Sequence, residues 1–160
     1  LATYRAVLET SVGSVAFEFF PDRAPEHVRN FLRLAAAGVY DGMAFHRVVP
    51  GFVVQTGSVP SRTTPLSEEQ RAVVVNLTPE FSDTSHVKGV VSMARGDDED
   101  SASTSFFIVT GAAPELDGIY TVFGRVVDGM GAVERMESAA TDGETPVNRI
   151  ELREIRLERN

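Results

Sequence analysis

The chain has no cysteine, only one lysine, and no basic run of five or more residues. Without cysteine there is no disulfide scaffold, zinc ribbon, iron–sulfur site or thiol nucleophile, and the redox compartment stays open. A formal charge of -8 and a pI near 4.9 oppose nonspecific nucleic-acid binding, which relies on cations neutralising phosphates. No uncharged apolar stretch approaches the ~20 residues of a membrane span. Residues 1–9 lack the apolar block of a signal peptide. The first residue is Leu1 rather than methionine, so the expectation is a processed or excised product, soluble, and either cytoplasmic or exported after loss of a leader. Internal repeats and low-complexity linkers are also missing.

What remains is an ordinary globular composition: 160 residues, 42% hydrophobic and 24% charged. That length buries roughly two-thirds of the unfolded surface, enough for one core. A single domain over residues 1–160 is expected, with a monomer as the default.

Apolar patterning predicts mostly strands. Residues 7–10 and 15–20 flank the turn Ser11-Val12-Gly13-Ser14, and Val15, Phe17 and Phe19 alternate with smaller or polar neighbours. A helix follows, with Asp22 as expected cap, Pro25 in the first turn and Gly38 as stop. Val28, Phe31, Leu32 and Ala35 share one helical face. Further strands are expected over residues 44–49, 52–55, 87–94, 106–110, 120–127 and 149–157. A short helix is expected over 131–137. Apolar positions change parity between Ile150/Leu152 and Ile155/Leu157, which predicts a bulge in the last strand. Two polar segments, 58–70 and 96–104, read as surface loops. The pattern suggests a closed or nearly closed antiparallel barrel with helices over its ends.

Most catalytic chemistries find no support. His27, His46 and His86 lie 19 and 40 residues apart, far from metal-ligand spacing. The run Asp97-Asp98-Glu99-Asp100 lacks the alternation and central glycine of a calcium loop. No GxSxG and no glycine-rich phosphate loop occurs. Neither a metal nor a cofactor is expected. Fourteen of the fifteen basic residues are arginines, so an arginine is by default a surface solubiliser. Arg47 stands out by its neighbourhood. A Pro50-Gly51 turn joins the segments carrying Arg47 and Gln55, with Phe52 and Val53 between them. Two polar groups flanking an apolar patch are what a small binding site requires.

The run Phe45-His46-Arg47-Val48-Val49-Pro50-Gly51-Phe52-Val53-Val54-Gln55-Thr56-Gly57 closely resembles the signature of the cyclophilin family of peptidyl-prolyl cis–trans isomerases. Asn30-Phe31 before it, and Val91-Ser92-Met93-Ala94-Arg95, Ser105-Phe106-Phe107-Ile108, Leu116-Asp117-Gly118 and Val122-Phe123-Gly124-Arg125-Val126 after it, appear in the family's order. The resemblance spans roughly residues 7–157. It implies a mainly β fold, a closed eight-stranded antiparallel β-barrel capped by two α-helices.

The resemblance also implies an activity: rotating X–Pro bonds in proline-containing peptides and unfolded or flexible proteins. Arg47, Phe52 and Gln55 are the implied catalytic residues. Arg47 would donate a hydrogen bond toward the prolyl nitrogen of the twisted amide. Phe52, Val53, Phe107 and Leu116 would hold the proline ring. Gln55 and the backbone of Ala94 and Arg95 would grip the peptide, and Tyr120 would stand at the pocket edge. Phe106 and Val122 would face the barrel core, while His46 and Ser105 would support the arginine.

The chain departs from the family pattern at several of these positions. Glu115 stands where many members have a tryptophan that contributes to cyclosporin binding, which puts that binding in doubt. Ser105 stands where a glutamine usually supports the arginine, and Tyr120 replaces a histidine. A second reading therefore stays open: a proline-peptide binding module with little or no turnover. The acidic run 97–100 leads us to expect a preference for basic residues around the target proline.

Overall fold

The structure is a computed structural model that describes residues 3–160. In chain order the elements are β1 (Tyr4–Thr10), β2 (Gly13–Phe19), α1 (Pro25–Ala36), β3 (Met43–Ala44), β4 (Arg47–Val49), β5 (Val53–Thr56) and α2 (Glu68–Ala72). Then come β6 (Val90–Met93), β7 (Phe106–Val109), β8 (Val122–Asp128), α3 (Met130–Glu137), β9 (Thr141–Asp142), β10 (Thr145–Pro146) and β11 (Glu151–Arg159). Single 3-10 turns lie at Val59–Ser61 and Pro114–Leu116.

The first hairpin forms as its alternation predicts, with Arg5 opposite Glu18 and Thr10 opposite Gly13. The Thr10 hydroxyl closes the turn, donating to the Gly13 carbonyl at 2.5 Å and accepting from Val12 N–H at 3.2 Å. Ala6, Leu8, Val15 and Phe17 on its inner face are fully buried. On the far side β1 pairs with β11, and the predicted bulge is there. Glu9 faces Glu154 and Thr10 faces Leu152, so Arg153 is the extra residue that resets the parity.

The closed eight-stranded barrel does not form. Nine antiparallel strands make one curled half-barrel in the order β3-β11-β1-β2-β8-β6-β7-β5-β4. Its two edges, β3 and β4, are consecutive in the chain, with only Phe45 and His46 between them. So short a connection cannot fold back into a ladder. Its amides pair elsewhere: Phe45 N–H with the Ile150 carbonyl at 2.9 Å, Val48 N–H with the Glu144 carbonyl at 2.7 Å. The separate hairpin β9–β10 lies beside this seam.

Three local expectations are also corrected. Asp22 does not cap α1; the N-cap position is Ala24, with no side-chain cap of its own. Instead the Glu80 carboxylate, 54 residues away, accepts Glu26 N–H at 3.2 Å and His27 N–H at 2.8 Å. It supplies the negative charge that the helix dipole favours there. Leu34, at 0% exposure, completes the buried face of α1, and Leu32 is only half-buried. Segment 58–70 is not wholly irregular, since Ser67 and Gln70 form a reciprocal capping box that starts α2. Arg62 and Gln70 from this segment donate to the carbonyls of Ala37, Gly38 and Val39, satisfying the end of α1.

Candidate functional site

Alternation along the strands sorts side chains between the barrel interior and a surface groove. Val54, Phe106 and Ile108 point inward to the main core, while Val53, Phe107 and Val109 join a smaller cluster on the other face. Phe106 thus faces the core as expected. Val122 does not: it packs in the smaller cluster, because β8 carries a bulge opposite Val91 and Ser92 that shifts its facing.

Register lines up the groove. Arg47 on β4 is opposite Gln55 on β5, Gln55 is opposite Phe107 on β7, and Phe107 is opposite Ser92 on β6. One transverse row therefore runs from a guanidinium, past an amide, to a phenyl ring and a buried hydroxyl. Directly opposed residues are the closest side-chain neighbours a sheet provides. The turn between β4 and β5 adds Phe52, and the loop after β7 adds Leu116 and Tyr120.

Arg47, Phe52, Val53, Gln55, Ala94, Arg95, Phe107, Leu116 and Tyr120 line one cavity of about 260 Å³. Sequence reasoning named all nine. Its floor is firmly built. The Phe107 ring stacks on His86 at 6.2 Å and meets Tyr120 edge-on at 5.9 Å. His86, 1% exposed, is itself pinned: Nδ1 to Asp117 at 2.9 Å and Nε2 to the Ser92 hydroxyl at 2.9 Å. Backbone and side-chain hydrogen bonds from His86 hold the Asp117 carboxyl below its usual pKa.

The two cations of the site are fixed differently. Arg95 lies flat over Tyr120, 4.8 Å from the ring centroid, and donates to the carbonyls of Gly96 and Ile119 at 3.0 Å each. Arg47 donates through Nη1 to Gln55 Oε1 at 3.4 Å and through Nε to Glu144 Oε1 at 2.9 Å. Its remaining N–H groups are available at the cavity wall.

The two expected supporting residues lie elsewhere. Ser105 lines an adjoining polar cavity with Ser101, Ser103 and Gly96, and its side chain is not among the hydrogen-bond partners of Arg47. His46 alternates to the opposite face from Arg47 and lines a separate cleft with Pro146 and Ile150. Burial keeps the His46 imidazole below its usual pKa, and the neighbouring Arg47 charge adds to the effect. Glu144, and Glu137 whose carboxylate accepts Gly51 N–H at 2.5 Å, were not singled out by sequence reasoning. Each is one acidic residue among 23, far along the chain from its partner. No local pattern marks them.

Among the described residues, no three His, Cys, Asp or Glu side chains converge to hold a metal, and no helix is long and apolar enough to cross a membrane.

Comparison with known proteins agrees with this geometry. Residues 5–157 match the family described as cyclophilin type peptidyl-prolyl cis-trans isomerase/CLD. The chain is 41% identical over 143 residues to the peptidyl-prolyl cis-trans isomerase CYP23 of Arabidopsis thaliana, covering 88% of this chain and 63% of that protein. It is 36% identical to the peptidyl-prolyl cis-trans isomerase-like 3 of Gallus gallus, covering 96% and 95% of the two chains. A cyclophilin type isomerase of Cryptosporidium parvum, crystallised in the presence of the dipeptide Ala-Pro, superposes with a TM-score of 0.85 at 27% identity. That superposition covers 98% of this chain and 99% of the other.

Proposed function

The chain belongs to the cyclophilin-type peptidyl-prolyl cis–trans isomerases, and we propose that its groove takes an extended X–Pro segment and lowers the barrier to rotation about the prolyl bond. One observation carries the reading: a guanidinium anchored on two sides stands at the wall of a cavity of about 260 Å³ that the apolar side chains of Phe52, Val53, Phe107 and Leu116 also line.

The chemistry demands little more. An X–Pro amide keeps its double-bond character through resonance, with a barrier of ~18–20 kcal/mol. Twisting the bond breaks the resonance and leaves a localised lone pair on the prolyl nitrogen. A donor aimed at that nitrogen is stronger in the twisted state than in either planar isomer, which is the condition for acceleration. Arg47 is the donor in this reading. Phe52, Val53, Phe107 and Leu116 hold the ring while the acyl side turns, and Tyr120 closes the edge. Gln55 holds Arg47 and meets the substrate backbone. The Ala94 N–H is committed to the Ser105 carbonyl at 2.9 Å, so the peptide meets Ala94 through its carbonyl.

The alternative of binding with little or no turnover rests on the departures at Glu115 and at Ser105, whose side chain does not brace the arginine. Arg47 instead has two other anchors, so the departure at Ser105 does not leave it loose. Exchange NMR on a short Ala-Pro peptide tests the reading: the protein should accelerate isomer interconversion. Binding with an unchanged exchange rate would overturn it.

Residues 97–100 are exposed and sit next to Gly96 and Ser101 on the adjoining cavity. This placement supports a preference for lysine or arginine near the target proline. Peptides flanked by Lys should show a higher kcat/KM than their Glu counterparts; equal values would remove the idea.

A further inference from the structure

We infer that Glu144 is a positioning residue for the isomerisation, fixing the orientation of the Arg47 guanidinium through its Nε–H. The inference rests on the role given to Arg47 above. Glu144 occupies the two-residue turn of the β9–β10 hairpin, in which Asp142 pairs with Thr145. The preceding Gly143 has φ +64°, a left-handed conformation that an L side chain rarely adopts, so the direction in which the chain leaves the turn is set locally.

That turn docks on the open edge of the sheet. The Glu144 carbonyl accepts Val48 N–H at 2.7 Å, and its carboxylate accepts Arg47 Nε–H at 2.9 Å. One residue thus holds two adjacent positions of β4, the backbone contact serving as a hinge pin for the side-chain contact. Gln55 takes Nη1 from the other side at 3.4 Å. A planar fork held at two of its nitrogens cannot rotate freely, and its unused donors keep one direction. A lysine here would gain nothing from such a brace.

The pair is open to water, with the two side chains 37% and 54% exposed. Exposed pairs contribute little to folding stability. Alignment of a reacting group is a different matter, since small misplacements of a donor reduce rate strongly. The expected signature of Glu144 is a loss of rate without a loss of fold.

The experiment is a double-mutant cycle on Glu144 and Arg47, read by exchange NMR with kcat and KM separated and Tm recorded. Glu144→Ala should lower kcat about three- to tenfold while KM and Tm hardly move. Glu144→Gln, which keeps the acceptor oxygen, should recover most of that rate. In an Arg47→Ala background, Glu144→Ala should have no further effect. The Arg47 Nε–H resonance should shift and broaden in Glu144→Ala and return in Glu144→Gln. A wild-type kcat for Glu144→Ala, or an undiminished effect without Arg47, overturns the inference alone. A wild-type rate for Arg47→Ala overturns the role of Arg47 and the inference with it. The Val48 backbone contact survives each substitution, so the variants should fold.

Discussion

Phe106 and Phe107 are neighbours on β7 and belong to different parts of the molecule. Phe106 sits at 0% exposure in an aromatic cluster inside the half-barrel, with Phe31 at 5.4 Å and Tyr40 at 5.5 Å. Phe107 sits at 5% exposure in the smaller cluster beneath the groove, with one face toward the cavity. The inner cluster is enclosed on every side by β2, α1, β7 and β8. The outer one keeps an apolar surface uncovered. A single strand therefore carries stability on one face and binding on the other, and a substitution should reveal which face it touches.

Four substitutions or conditions would break or sharpen that division. Phe106→Ala should have the largest effect on the fold, about 3–5 kcal/mol in urea unfolding, because the enclosed cavity cannot collapse. Its folded fraction should isomerise peptide at close to the wild-type rate; a large drop in activity per folded molecule would blur the division. Arg47→Ala should do the opposite, reducing kcat by about 10²–10³-fold with stability changed by at most about 0.5 kcal/mol. A matching fall in unfolding midpoint would show Arg47 to be structural.

Phe107→Ala should fall between them, since its ring both packs on His86 and faces the cavity. We expect about 1–3 kcal/mol of destabilisation together with about tenfold weaker peptide binding. Either loss without the other would mean the smaller cluster belongs wholly to fold or wholly to site.

The smallest effect concerns pH. Burial holds His27 below its usual pKa of 6.5, against the pull of the Glu80 carboxylate. In the unfolded chain that imidazole protonates near 6.5, so the unfolded state binds more protons as pH falls through that value. The stability held above 6.5 is lost below it, toward the lower folded pKa. The urea midpoint should therefore drop between about pH 7.5 and about pH 5.5, and His27→Gln should flatten the slope. Catalysis per folded molecule should follow no such trend with His27, which lies away from the groove. An equal slope in wild type and variant would remove the assignment. Asp117, Glu9 and Glu158 are held below the usual carboxylate pKa, so their contribution is lost only at more acid pH.

The same division explains what could be read from sequence. Strand alternation marked Val15, Phe17 and Phe19 as one face, the family resemblance implied that Phe106 faces inward, and the parity change at the C-terminus located a bulge. The cavity residues were readable because most lie within short, ordered blocks such as Arg47 to Gln55. Contacts between distant acidic and basic or amide groups left no trace. Glu80 replaces Asp22 as the cap of α1 from 54 residues away, and Glu144 reaches Arg47 across 97. Barrel closure was misjudged for a related reason. Whether a sheet closes depends on which partner its last amides find, and Phe45 and Val48 find Ile150 and Glu144. Val122 escaped its expected facing through a bulge that is a property of two paired strands, not of one.

The position of β1 has a consequence for how the chain acquires its structure. Its inner neighbour β2 is a hairpin partner, formed at once by local pairing. Its outer neighbour β11 pairs Tyr4 with Arg159, nearly the full length of the chain. During synthesis β1 must therefore present a bare row of amides and carbonyls from the first hairpin until the last strand arrives. Such non-local closure is slow, and an unpaired edge invites pairing with other chains while it lasts. β1 waits for β11, and a nascent chain lacking residues 151–159 carries a seven-residue strand edge open to pairing with other chains.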